Sequence, residues 1–233
     1  MAKKSRKSAA EEASKQHFSL KQIKPLTENQ KLTFDEYDKG NHLLLSGSAG
    51  SGKSFLALYL SLKELLNAGS YYRKIIIIRS AVPSRDIGFV PGTLEEKSKI
   101  YQEPYMNIVN ELVQRGDAWH FLLNKEIIEF QTTSFLRGLT FRDCIIVFDE
   151  FQSATFHEID SVLTRVGENC RFILCGDYAQ NDLNNKKEKS GFQDAVKILS
   201  KLKDVSQVQF TIDDVVRSGF VRQYLIEKEK QGL

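Results

Sequence analysis

The residues best equipped for chemistry stand in one run, Gly47-Ser48-Ala49-Gly50-Ser51-Gly52-Lys53-Ser54. Its three glycines free the backbone to wrap an anion and turn N–H groups inward. Lys53 brings a point charge suited to β- and γ-phosphates, and the Ser54 hydroxyl is a ligand for Mg²⁺. The pattern carries that meaning only between a strand and a helix. Both signals are present: Leu43-Leu44-Leu45 precedes the run, and Phe55, Leu56, Leu58, Tyr59, Leu62, Leu65 and Leu66 follow at helical spacing. A helix opening near Lys53 aims the positive end of its dipole at the phosphates. Ser48, Ala49 and Ser51 therefore join the glycines as expected nucleotide contacts.

A second constellation closes the apolar run Cys144-Ile145-Ile146-Val147-Phe148, which Asp149 and Glu150 follow directly. Open α/β sheets bind ligands beyond the carboxyl ends of their strands, which is where this pair falls. Asp149 suits Mg²⁺, reached through water or Ser54, and Glu150 suits polarising an attacking water. Acidic residues also favour helix N-termini, so a plain helix cap is the alternative. The phosphate loop upstream decides against it. Another buried strand, Arg171-Phe172-Ile173-Leu174-Cys175, runs into Gly176-Asp177-Tyr178-Ala179-Gln180, and the Gln180 amide is expected to sense the γ-phosphate. Four consecutive isoleucines, Ile75 to Ile78, read as a strand covered on both faces. Arg79 and Arg85 lie in the loop beyond it and Arg137 in a later loop, where a nucleic-acid backbone would run.

These residues need a frame, and the remaining pattern supplies one. Helices are expected near residues 94–101 and 106–115, parted by Pro104, then through Ile159, Val162, Leu163 and Val166, near 192–202, and after Arg217. Short strands are expected near 126–130 and 207–210. Strands alternating with helices imply an α/β fold: a mostly parallel sheet of five or more strands with helices on both faces. The length of 233 residues suits one domain, expected over 17–233, behind a disordered basic tail over 1–16 that has no apolar face. Thr27 reads as a helix N-cap with Gln30 as its capping-box partner. The same amide matches the N6 and N7 edge of adenine, but on the residues alone the helix cap is the reading that wins.

Composition narrows the class. Hydrophobic residues make up 41% and charged residues 27%, as in globular proteins. The net charge of +3 and pI near 8.6 are compatible with nucleic acid without requiring it. Cys144, Cys170 and Cys175 form no Cys-x-x-Cys pair and suit a reducing compartment. The four histidines show no metal-ligand spacing. No apolar run approaches the length of a membrane span, and the amino-terminal stretch lacks a secretory apolar segment, so a cytoplasmic protein without a membrane partner is expected.

Taken in order, the motifs resemble the PhoH-like family of P-loop ATPases, akin to superfamily 1 helicases. The resemblance runs from about Pro25 to Leu225. It rests on Thr27-Glu28-Asn29-Gln30, the phosphate loop, Arg79-Ser80-Ala81-Val82-Pro83-Ser84-Arg85 and Gly88-Phe89-Val90-Pro91-Gly92. It continues through Phe135-Leu136-Arg137-Gly138, Asp149-Glu150-Phe151-Gln152, Gly176-Asp177 with Gln180 and Asp182, Ser190-Gly191-Phe192 and Asp214-Val215-Val216-Arg217. Phe151 stands where the family usually has alanine, and Leu139 where it usually has arginine. The resemblance implies a RecA-like fold, ATP and Mg²⁺ as ligands, ATP hydrolysis, and RNA-helicase-type activity in some members. It favours adenine for Gln30 and marks Arg217 as an arginine finger. With room for one RecA-like domain, Arg217 is expected to reach the nucleotide of a neighbouring subunit in a homo-oligomeric ring, hexameric by the same resemblance. RNA or single-stranded DNA is the expected partner. Two rival readings are a nucleotide-gated binding module with little turnover and a small-molecule phosphotransferase. The water-activating position of Glu150 speaks against the second.

Overall fold

The computed structural model describes residues 18–67, 69–80, 94–136, 140–177 and 191–231. Four isoleucines in succession leave no polar face, so strand β2 (Lys74–Arg79) must be covered on both sides. It is. The other strands are β1 (His42–Gly47), β3 (Ile128–Thr132), β4 (Cys144–Asp149), β5 (Cys170–Gly176) and β6 (Val205–Phe210). They form one six-stranded sheet in the order β3-β2-β4-β5-β1-β6. Every pairing is parallel, where a mostly parallel sheet was expected.

Successive strand side chains point to opposite faces, which splits the core in two. Leu43, Leu45, Ile75, Ile77, Ile145, Val147 and Ile173 face one side, under α1 (Glu28–Asp38), α2 (Lys53–Leu65), α3 (Leu94–Val113) and α4 (Ala118–Asn124). Leu44, Ile76, Ile78, Ile146, Phe148 and Leu174 face the other, under α5 (Phe156–Leu163) and α6 (Phe192–Leu199). Each such side chain contributes roughly 1.5–3 kcal/mol of burial. The last helix, α7 (Gly219–Lys230), touches mainly the short turn Ile212–Asp214.

The order of the strands places the site. From β1 the chain crosses to β2 and then β3 at one edge; from β4 it returns through β5 to β6 at the other. Direction reverses around β1, β4 and β5, and a crevice opens beyond their carboxyl ends. This is the RecA-like P-loop architecture.

Several boundaries differ from the sequence expectation. Pro104 does not break its helix: α3 runs through it. Proline removes one backbone donor, but Tyr105, Val109 and Leu112 are buried on one face and hold the helix together. Strand β3 starts two residues later than expected, because α4, unforeseen, occupies 118–124 and the chain turns at Lys125 and Glu126. Helix α2 ends at Leu65, and Leu66, the last residue of the expected apolar spacing, is its cap. Helix α6 ends at Leu199, and β6 begins at Val205 rather than near 207. The tail expected over 1–16 lies outside the described residues.

Candidate active site

The phosphate loop springs from β1. Gly47 has φ of +124°, and a Cβ there would lie 1.8 Å from the Phe210 carbonyl oxygen. The end of β6 is therefore packed directly on the loop, and Ser48 N donates to that same carbonyl at 3.2 Å. Gly50 and Gly52 also have positive φ. No side chain caps α2 at Gly52, so the first-turn N–H groups of the helix face the loop's concavity. Lys53 folds back over the loop and donates to the carbonyls of Gly47 and Ser48, both at 2.8 Å. Ser51 is buried and donates to Ser48 O at 2.9 Å.

The acidic pair meets this loop. Ser54 Oγ donates to Asp149 Oδ1 at 2.8 Å. The other oxygen, Oδ2, accepts from the Tyr105 hydroxyl at 3.0 Å. Burial raises the Asp149 pKa, while these two donors and Arg79 pull the other way. Glu150 sits at φ +52°, a left-handed conformation rare for a residue with a side chain and found where surrounding structure enforces it. Its carboxylate accepts from Gln152 Nε2 at 2.6 Å, and Gln152 Oε1 accepts from Asp177 N at 3.1 Å. One glutamine thus ties the end of β4 to the end of β5. Burial, then the neighbouring Asp149, raises the Glu150 pKa. Phe151 fills the space beside Gly176, where any Cβ would come within 2.7 Å of its ring, and packs on Phe192 with centroids 4.6 Å apart.

A cavity of about 770 Å³ joins these groups. Lys53, Ser54, Asp149 and Glu150 line its polar end, and Ile23, Leu26, Pro104 and Ile108 contribute apolar wall. Gln30, 4% exposed, lines it as well. Thr27 caps α1 as expected, accepting from Gln30 N at 3.3 Å. The capping-box half of that expectation is corrected: the Gln30 carbonyl oxygen accepts from Leu26 N at 2.8 Å, one residue before the cap. Its amide nitrogen donates to Ser51 O at 3.4 Å. These two bonds fix which way the amide faces.

Two arginines line the same cavity. Arg79, expected along a nucleic-acid track, lines the cavity beside both carboxylates, with its guanidinium 5.3 Å from the Tyr101 ring centroid. Arg217, expected to serve a neighbour's nucleotide, lies against the loop of its own chain. Val216 N donates to Gly50 O at 3.3 Å, and a Cβ on Gly50 would lie 3.0 Å from Arg217 Cγ. The turn that delivers it is pinned by Asp214, whose Oδ2 accepts from Thr211 N at 2.8 Å and from Asn29 Nδ2 at 2.7 Å. Ala49 also lines the cavity. Gln180, Arg85 and Arg137 lie outside the described residues. Sequence reasoning passed over Tyr105, Tyr101 and Gln152 as site residues; only Gln152 had a signal, standing two residues after the acidic pair.

The arrangement fits a nucleoside triphosphate with Mg²⁺. Three glycines at positive φ let the loop turn around an anion, and an uncapped helix and a lysine close it. Among the described residues no cluster of three or more His, Cys, Asp or Glu could hold a metal ion alone. Mg²⁺ does not need one, since it takes one or two protein ligands together with substrate phosphates.

A family model described as PhoH-like protein matches residues 22–227. A PhoH-like protein of Mycobacterium bovis is 33% identical over 204 residues, covering 87% of this chain and 57% of that one. A PhoH-like protein of Bacillus subtilis is 33% identical over 196 residues, covering 83% and 60%. The chain thus spans 57% and 60% of the length of these relatives. A crystal structure of Pif1 helicase from Candida albicans aligns with 85% of this chain and 43% of that one, at 17% identity and a TM-score of 0.41. Among the described residues no helix is long and apolar enough to cross a membrane. The matched span takes in Gln30, the phosphate loop, Asp149-Glu150 and Arg217 together, and with it the chain belongs to the PhoH-like family of P-loop proteins.

Proposed function

We propose that this protein is a Mg²⁺-dependent ATPase that couples hydrolysis to action on nucleic acid, either RNA or single-stranded DNA. The observation that carries the reading is the meeting of Ser54, Asp149 and Glu150 with Lys53 in one cavity. Ser54 and Asp149 would hold the metal ion, whose bound charge offsets that of the β- and γ-phosphates. Lys53 exchanges its two loop carbonyls for phosphate oxygens. Gln30 offers an acceptor and a donor to the adenine edge, above the apolar wall. Glu150 takes the proton of the attacking water. Its raised pKa makes it a stronger base than an exposed glutamate, and Gln152 fixes its aim. Arg79 and Arg217, which both line the cleft, bring positive charge for the charge that develops on the transferred phosphoryl group. Gln180 completes the proposal as γ-phosphate sensor, and Arg85 and Arg137 as nucleic-acid contacts.

A homo-oligomeric ring, hexameric by family resemblance, and a cytoplasmic location remain part of the proposal. The ring is not needed to complete the cleft, because Arg217 already reaches it from within the chain. The test is phosphate release with and without single-stranded RNA or DNA. Glu150→Gln should keep ATP binding and lose at least about a hundredfold in turnover. Equal turnover in the variant would remove Glu150 from the reaction. Turnover that no nucleic acid stimulates would leave a nucleotide-gated module instead.

A further inference from the structure

At the end of the sheet remote from the phosphate loop, β4 and β5 each begin with a cysteine. Cys144 and Cys170 are register partners on these adjacent parallel strands. Adjacent strands lie about 4.8 Å apart, inside the ~4.4–6.8 Å between Cα atoms that a disulfide spans. The two sulfurs are 3.6 Å apart, so the side chains already point at each other. Cys144 is buried, whereas Cys170 is partly exposed. Solvent reaches one sulfur, and the second waits behind it.

We propose that Cys144 and Cys170 form an oxidisable dithiol, in which Cys170 meets a hydroperoxide and Cys144 resolves the product to a disulfide. The Cys170 thiolate attacks one peroxide oxygen: an S–O bond forms, the O–O bond breaks, and hydroxide leaves and is protonated to water. Cys144 sulfur then attacks the Cys170 sulfur. An S–S bond forms, the S–O bond breaks, and the second hydroxide departs with the Cys144 proton as water. Two thiols and one hydrogen peroxide give one disulfide and two waters, with one pair of electrons passing from sulfur to oxygen.

The surroundings support this division of labour. The hydrogen bond between the two sulfurs lowers the Cys170 pKa below the ordinary thiol value and raises that of Cys144, with burial raising Cys144 further. The exposed sulfur is therefore the better nucleophile toward peroxide. Cys175 provides an internal control: it is 1% exposed, and burial raises its pKa. The disulfide would pin β4 to β5 across a loop that includes α5, without touching the cleft. It should raise the melting temperature by a few degrees and leave nucleotide binding unchanged.

The test oxidises the folded full chain with a small excess of hydrogen peroxide and reads intact mass and a non-reducing peptide map. The intact mass should fall by about 2 Da for two hydrogens lost, with one crosslink joining the peptides of Cys144 and Cys170, reversed by dithiothreitol. Cys144→Ser should stop at a sulfenic acid on Cys170, captured by dimedone, and Cys170→Ser should form no crosslink. Oxygen addition to Cys170 of the unmutated protein without the crosslink, or a crosslink through Cys175 or between chains, overturns the proposal. So does an unreacted chain under conditions that oxidise an exposed thiol. The unmutated protein decides the matter even where a serine variant folds poorly.

Discussion

Tyr105→Phe removes a single oxygen from the protein, the one 3.0 Å from Asp149 Oδ2. The ring keeps its packing against Phe130, 5.7 Å away between centroids, so the fold should survive. What is lost is a donor to a buried carboxylate. Hydrogen bonds to charged groups contribute about 1.5–3 kcal/mol, and about 1.4 kcal/mol is a factor of ten. Asp149 is already pushed up by burial and held down by only a few partners, of which Tyr105 is one. Without it the carboxylate protonates more readily and its second oxygen is free to swing. Loss of a partner behind a metal ligand typically costs about 10–100-fold in metal affinity. The half-saturating Mg²⁺ for phosphate release at saturating ATP should therefore rise by about tenfold. Nucleotide affinity without metal should not change, because Tyr105 makes no hydrogen bond to the phosphate loop. Melting curves establish that the variant is folded. An unchanged Mg²⁺ requirement in a folded variant would refute the role assigned to Tyr105. Equal loss of metal-free nucleotide binding would refute it too, by pointing to general damage of the cleft.

Three further outcomes follow from other parts of the molecule. Arg217→Ala and Lys53→Ala proteins, each nearly inactive alone, should stay inactive when mixed with verified subunit exchange if Arg217, which lines its own chain's cavity, acts there; recovery to about a quarter of full activity would instead mean action across an interface. Gly47→Ala forces a Cβ to within 1.8 Å of the Phe210 carbonyl and should destabilise by about 3 kcal/mol or more, read as a lowered denaturant midpoint with unchanged slope. Glu36 is held down at a pKa of about 2 by hydrogen bonds from Lys39, Ser206 and Asn41; a depressed carboxylate stabilises the fold above its unfolded value of 4.5 and loses that contribution as pH falls toward about 2, so Glu36→Gln should flatten the acid limb of the melting-temperature profile, by about 1 kcal/mol after solvent screening.

How much of this was legible in the residues depended on whether a function is written locally or assembled by packing. The phosphate loop and Asp149-Glu150 could be read because their chemistry sits in consecutive residues after apolar runs, and such runs announce strands. The two sheet faces could be read from the same runs, since alternation in Leu43-Leu44-Leu45 and Ile75 to Ile78 divides them without further information. Tyr105 could not, because its partner is 44 positions away and nothing near Pro104 marks a site. Pro104 itself argued for a break that the buried face of α3 overrides. Arg79 was ambiguous in principle: the carboxyl end of a strand can face a nucleotide or a nucleic acid, and its place beside Tyr101 and both carboxylates is set by packing that consecutive residues do not show. Cys144 and Cys170 looked like unrelated thiols until parallel pairing made them neighbours. Arg217 is the instructive case. Counting residues left room for one RecA-like domain, and a second was assumed necessary to bring an arginine to the phosphates. Strand β6 supplies the return path instead. It ends on the phosphate loop at Phe210, Asp214 fastens the next turn to Asn29 on α1, and the backbone of Val216 bonds Gly50. Three contacts over seven residues carry the arginine to a cleft that the chain closes on itself.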